Sequence, residues 1–144
     1  MEGLASFCLA RQTHLTKWKI MGEKAMIKLQ KMETVSKWNF GNKSELLRAE
    51  HYYTNGQKEI AEIAYKASIK SAYLHRFIHE EALAHEMYGI FCIENHIAAK
   101  GFKQLHIALD KYKEWGATKK ADNLQLFIDS GEMLSENPGQ QVPC

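Results

Sequence analysis

The chain has 144 residues, a length that suits one domain and is long enough to bury most of the surface its unfolded form would expose. Hydrophobic residues make up 45% and charged residues 25%, which speaks against disorder, and the only prolines are Pro138 and Pro143, which favours helices over a turn-rich β fold. Residues 1–70 carry 12 Lys/Arg against 7 Asp/Glu, and residues 71–144 carry 7 against 10, an excess too dilute for a nucleic-acid-binding face.

Apolar positions recur every three or four residues, the helical period. A first helix of about a dozen residues begins with Leu4, Phe7, Cys8 and Arg11. A second starts near Thr16, an N-cap candidate. It sets Trp18, Met21, Ala25, Met26, Leu29 and Met32 on one face and Lys17, Lys24, Lys28 and Lys31 on the others. Trp38-Asn39-Phe40-Gly41-Asn42 interrupts the pattern, so Asn42 or Ser44 is expected to cap a third helix, which Asn55-Gly56 ends.

A fourth helix carries Ile60, Ala61, Ala64, Tyr65 and Ser68, and a fifth runs from about His79 to Glu94. The sixth holds Gly101, Phe102, Leu105, Ala108, Leu109 and Tyr112 and stops at Trp115-Gly116. A last helix carries Ala117, Ala121, Leu124, Phe127 and Ile128, and residues 130–144 are expected to form a disordered tail after a folded region spanning 1–129.

These helices repeat. Ala10, Ala49 and Gly89 lie 39 and 40 residues apart, and Gly22, Ala61 and Gly101 follow each of them by twelve. Met26, Tyr65 and Leu105 come four later, then Leu29, Ser68 and Ala108 three later again. Antiparallel helices approach closely only where both side chains are small, and a bulky residue one turn on fills the gap beside the contact. The spacing resembles the tetratricopeptide pattern, with Tyr52 in its place three residues after Ala49, although the period exceeds that repeat's ~34 residues. The expected fold is all-α: a right-handed array of about three antiparallel helix hairpins with a C-terminal capping helix.

Phe77-Ile78-His79-Glu80-Glu81-Ala82-Leu83-Ala84, then Glu86, Gly89, Phe91 and Glu94, followed by Ala108-Leu109, Tyr112 and Trp115-Gly116-Ala117, add a second likeness. They resemble the helical repeat region found C-terminal to the ATPase region of large multidomain signalling proteins that also carry kinase-like or cyclase-like modules. The resemblance is best over residues 43–128. It implies a regulatory or scaffolding segment in signal transduction, with catalysis located in other regions.

No enzyme chemistry is expected. His79 and His85 are six apart and point about 240° from one another on a helix, whereas a helical zinc pair needs a spacing of four. Glu81 and His85 share a face, but two groups do not make a metal site. Gly22-Glu23-Lys24 and Gly56-Gln57-Lys58 lack the features of a phosphate loop, and no nucleophile elbow occurs. Neither cofactor nor metal is therefore anticipated. Cys8, Cys92 and Cys144 are scattered and read as reduced thiols of a cytoplasmic protein, and nothing suggests a signal peptide or membrane span.

Protein–protein binding is the expected function, with a protein or peptide segment, or neighbouring domains of a longer polypeptide, as partner and neither nucleic acid nor membrane. Self-association through Leu4, Phe7 and the stripe around Phe127 fits the same pattern. The likeness to tetratricopeptide grooves implies a binding face of Arg11 and His14 from the first unit, Lys43, Glu50 and Tyr53 from the second, and Glu86, Ile90 and Glu94 from the third. Two other readings remain: residues 16–37 as a basic amphipathic target for calmodulin or a membrane surface, or a detached fragment without independent activity.

Overall fold

The computed structural model describes residues 2–134, and every regular element among them is a helix. The seven are α1 (Glu2–Thr13), α2 (Thr16–Val35), α3 (Lys37–Thr54), α4 (Lys58–Leu74), α5 (Ile78–Glu94), α6 (Ala98–Trp115) and α7 (Thr118–Leu134). Their number and order match the sequence periodicity. The chain divides into two compact units, one ending at Ser71 and the other beginning at Ala72, a boundary inside α4.

Four of the turns are copies of one motif. Gly56, Arg76, His96 and Gly116 take left-handed backbone conformations, with φ of 78°, 58°, 66° and 88°, at intervals of twenty residues. In each turn the next residue's N–H reaches back five residues: Gln57 to the Tyr52 carbonyl (2.9 Å), Phe77 to Ala72 (3.0 Å), Ile97 to Cys92 (2.8 Å) and Ala117 to Tyr112 (2.9 Å). This is the Schellman arrangement, which satisfies carbonyls that a helix end leaves without partners. The same residues then accept the first bond of the following helix, from Ala61, Glu81, Gly101 and Ala121. One helix therefore ends and the next begins without an intervening loop.

In the first unit, Phe7 and Gly22 form the contact between α1 and α2: a Cβ on Gly22 would lie 2.6 Å from the Phe7 ring. Gly3 faces Leu47 of α3 in the same way, at 2.7 Å. Phe7, Leu46, Leu47, Ala49, Ala61 and Tyr65 are buried. The Ser68 hydroxyl donates to the Asn42 carbonyl at 2.9 Å, fastening α4 to α3.

In the second unit, α5 and α6 pack at Gly89 and Gly101, and Leu105, Ala108, Leu109 and Tyr112 of α6 share a core with Ala82 of α5 and Ala121, Leu124 and Ile128 of α7. The small-residue contact expected from the repeat is thus realised directly in this hairpin. In the first it is displaced, because Gly22 meets the Phe7 ring.

Three local expectations are corrected. The break between the second and third helices falls at Ser36, whose backbone is extended (φ −150°, ψ 90°), and residues 38–42 are helical. Burial of Gly41, Asn42 and Ser44 outweighs the low intrinsic helix preference of that stretch. Leu15 rather than Thr16 occupies the N-cap of α2. The final helix continues to Leu134, past the expected start of the tail at 130, and residues 135–144 lie outside the described residues. Cys92 is a buried thiol outside any disulfide, and Cys144 lies outside the described residues.

Candidate interaction surface

The residues expected to line a groove fall into two groups, one in each unit. In the first unit, Arg11, Glu50 and Tyr53 come together. One Arg11 nitrogen, Nη1, lies 2.7 Å from Glu50 Oε2 and donates to Thr54 Oγ1 at 3.1 Å, while the guanidinium covers the Tyr53 ring at 4.4 Å. Tyr65 of α4 donates its hydroxyl proton to Glu50 Oε1. Only 1% of the Glu50 side chain is exposed, so its carboxylate is a buried junction of α1, α3 and α4 and is not presented to a partner.

The missing signal in the sequence was a partner, since Arg11 lies 39 positions away and Tyr65 fifteen, beyond the range of any local pattern. Burial pushes the Tyr65 hydroxyl well above its ordinary pKa of 10.0, and the neighbouring Glu50 carboxylate pushes it further. Tyr65 accordingly remains a proton donor at all physiological pH. His14 is exposed and ends α1 in the left-handed conformation (φ 57°), and Lys43 is half-buried with its ammonium 5.8 Å from the Phe40 ring. Arg11, His14, Lys43 and Tyr53 all keep some exposure.

In the second unit, Glu86 accepts hydrogen bonds from Tyr112 (2.7 Å) and Lys120 (2.9 Å), joining α5 to α6 and α7. Burial, reinforced by the Glu86 charge, raises the Tyr112 hydroxyl above its ordinary range. Ile90 is half-buried and packs against the core of this unit, and Glu94 is half-buried as well.

A second polar cluster in this unit has no counterpart in the sequence-based site. His85 Nδ1 lies 2.6 Å from Gln104 Oε1, and Glu81 Oε1 lies 3.9 Å from His85 Nε2 and 3.6 Å from Lys111 Nζ. The shared face of Glu81 and His85 was legible from their spacing. The contributions of Gln104 and Lys111 come from another helix and were not. Burial lowers the His85 pKa, with Lys111 adding to the effect and Gln104 and Glu81 opposing it. The ring is therefore neutral at pH 7, its Nδ1 proton directed at the Gln104 carbonyl oxygen.

Comparison with protein-family models, with curated proteins and with solved structures finds no match. Function therefore has to be argued from the residues. His79 is stacked on Trp115 with ring centroids 4.8 Å apart, and its imidazole serves to pack the start of α5 against the end of α6. Among the described residues no group of three His, Cys, Asp or Glu side chains could hold a metal ion. The buried side chains of Glu50 and His85 each join one helix to another.

Proposed function

We propose that the chain is a non-catalytic helical platform for protein–protein interaction, built from tetratricopeptide-like hairpins in a right-handed array and serving as the repeat segment of a larger signalling protein. The observation that carries this reading is the Arg11–Glu50 pair at 2.7 Å. Arg11 follows Ala10 and Glu50 follows Ala49, so the two occupy the same place in successive repeats. Pairing of equivalent residues is what neighbouring first helices of stacked hairpins produce. The twenty-residue spacing of the turns supports the same reading, because two helices then make a forty-residue unit.

A frame whose helices are held by buried polar junctions offers a surface that needs little ordering when a partner docks. His14, Lys43 and Tyr53 are the residues of the first unit to test, since they are accessible and Glu50 is not. The decisive measurement is affinity capture from the native source by the whole chain, compared with a His14→Glu/Lys43→Glu variant shown by circular dichroism to be folded. A partner retained by the parent and lost by the variant supports the platform. ATP or peptide hydrolysis by the purified chain, abolished by His79→Ala or Glu80→Gln, would replace this reading with an enzymatic one.

A further inference from the structure

The outward face of α2 is both apolar and basic. Of its twenty residues only Gly22 is buried, and Ile20, Met21, Ile27 and Val35 are 46%, 47%, 50% and 86% exposed. At about 100° per residue, these four and Met32 fall within one sector of about 140°. Lys17, Lys24, Lys28 and Lys31 lie in the same sector and are also exposed. Lys24, Lys28 and Lys31 make no ion pair among the described residues.

The two carboxylates of α2 lie outside that sector. Glu33 approaches Arg48 at 3.8 Å and Glu23 approaches His51 at 4.0 Å, both toward α3. The sequence pattern had assigned Met21 and Met32 to the inward stripe and had not singled out Ile20, Ile27 or Val35. Trp38, three residues beyond Val35, is exposed as well.

We propose that this face of α2 docks on an anionic lipid bilayer surface, lying in the plane of the interface. Isoleucine, methionine and valine side chains would enter the boundary of the acyl region, and the interleaved lysines would extend to the headgroups. Charge selects among possible occupants. Four lysines without a carboxylate cannot pair with a second copy of the same face, whereas they complement anionic headgroups. Geometry selects too, because the opposite side of α2 is held by Phe7 at Gly22, leaving one face for a flat surface and none for a partner that must surround the helix. This inference is independent of the protein-binding reading.

The test is sedimentation of the full chain with phosphatidylcholine vesicles, with and without phosphatidylserine. The expected result is binding only when phosphatidylserine is present, weakening as salt is raised. Lys24→Gln/Lys28→Gln should weaken binding about 30-fold, from about 1 kcal/mol per basic residue at the surface. Ile27→Glu should abolish it, and Lys58→Gln on α4 should leave it unchanged. All the substituted positions are exposed, and circular dichroism of each variant verifies the fold. Failure to bind phosphatidylserine vesicles, equal binding to both vesicle types, or full binding by Ile27→Glu would each overturn the proposal. So would calcium-dependent binding to calmodulin without vesicle binding, which would assign the face to a protein instead.

Discussion

Gly89 and Gly101 meet backbone to backbone across the α5–α6 hairpin: a Cβ on Gly101 would lie 2.7 Å from the Gly89 carbonyl oxygen, and one on Gly89 would lie 2.9 Å from the Gly101 carbonyl oxygen. Neither oxygen can move without shifting a helix, so the distance between the two rods depends on both residues lacking a side chain. The hairpin core formed by Leu105, Ala108 and Leu109 follows from that spacing.

Gly101→Ala should therefore destabilise the protein, although alanine is the better helix former by about 1 kcal/mol. The added methyl also meets Ile93 at 2.5 Å, and the overpacking cost should leave a net loss of about 1–3 kcal/mol. Urea unfolding would measure it. An alanine variant as stable as the parent would mean that the helices part readily, and the small-residue contact would lose its role.

The buried carboxylate of Glu50 supplies an asymmetric prediction. Arg11→Ala strands a charge that is almost wholly enclosed, a loss of about 3–5 kcal/mol for a buried pair broken on one side. Glu50→Gln should cost less, since the amide oxygen can still accept from Tyr65 and the Arg11 side chain, 15% exposed, reaches water. A double-mutant cycle on these positions, followed by denaturant unfolding, should show strong coupling. Equal, small losses for the two single variants would refute the junction.

The sequence revealed most where the signal was local. Asn55-Gly56 and Trp115-Gly116 were readable as helix ends because glycine tolerates the left-handed conformation there. The same turn at Arg76 and His96 was invisible as a copy, since neither residue advertises a positive φ. The small-residue spacing anticipated Gly89 against Gly101, yet the bulk of Phe7 was no guide to its seat on Gly22. Long-range partners of the candidate binding residues were the least legible. Glu50 and Glu86 carry no local sign of their partners, since each is engaged by a residue brought from a different helix.

Those unmarked turns can be improved. Arg76 and His96 are exposed, and a left-handed conformation costs a non-glycine residue about 1–2 kcal/mol. Glycine gives back part of that gain through the greater freedom of the unfolded chain. Arg76→Gly and His96→Gly should each stabilise the protein by about 0.5–1 kcal/mol, visible as a higher thermal midpoint. Gly116→Ala should do the reverse: no atom lies within 4 Å of the added Cβ, so the loss would come from the backbone conformation alone.

His85 makes stability depend on pH in a defined direction. Burial lowers its pKa in the folded protein below the ordinary 6.5, so between the two values the unfolded chain binds more protons than the folded one. Its stabilising contribution is therefore complete above pH 6.5 and declines as pH falls through the interval. His51, whose pKa is also lowered chiefly by burial, adds to the same trend from the first unit. Replacing His85 with glutamine removes the proton uptake while retaining a polar group that can reach Gln104. The thermal midpoint of His85→Gln should fall less steeply than that of the parent from pH 7 to pH 5. Parallel curves for the two proteins would show that His85 titrates alike in the folded and unfolded chains, and that the Glu81–His85–Gln104 cluster does not hold the imidazole neutral.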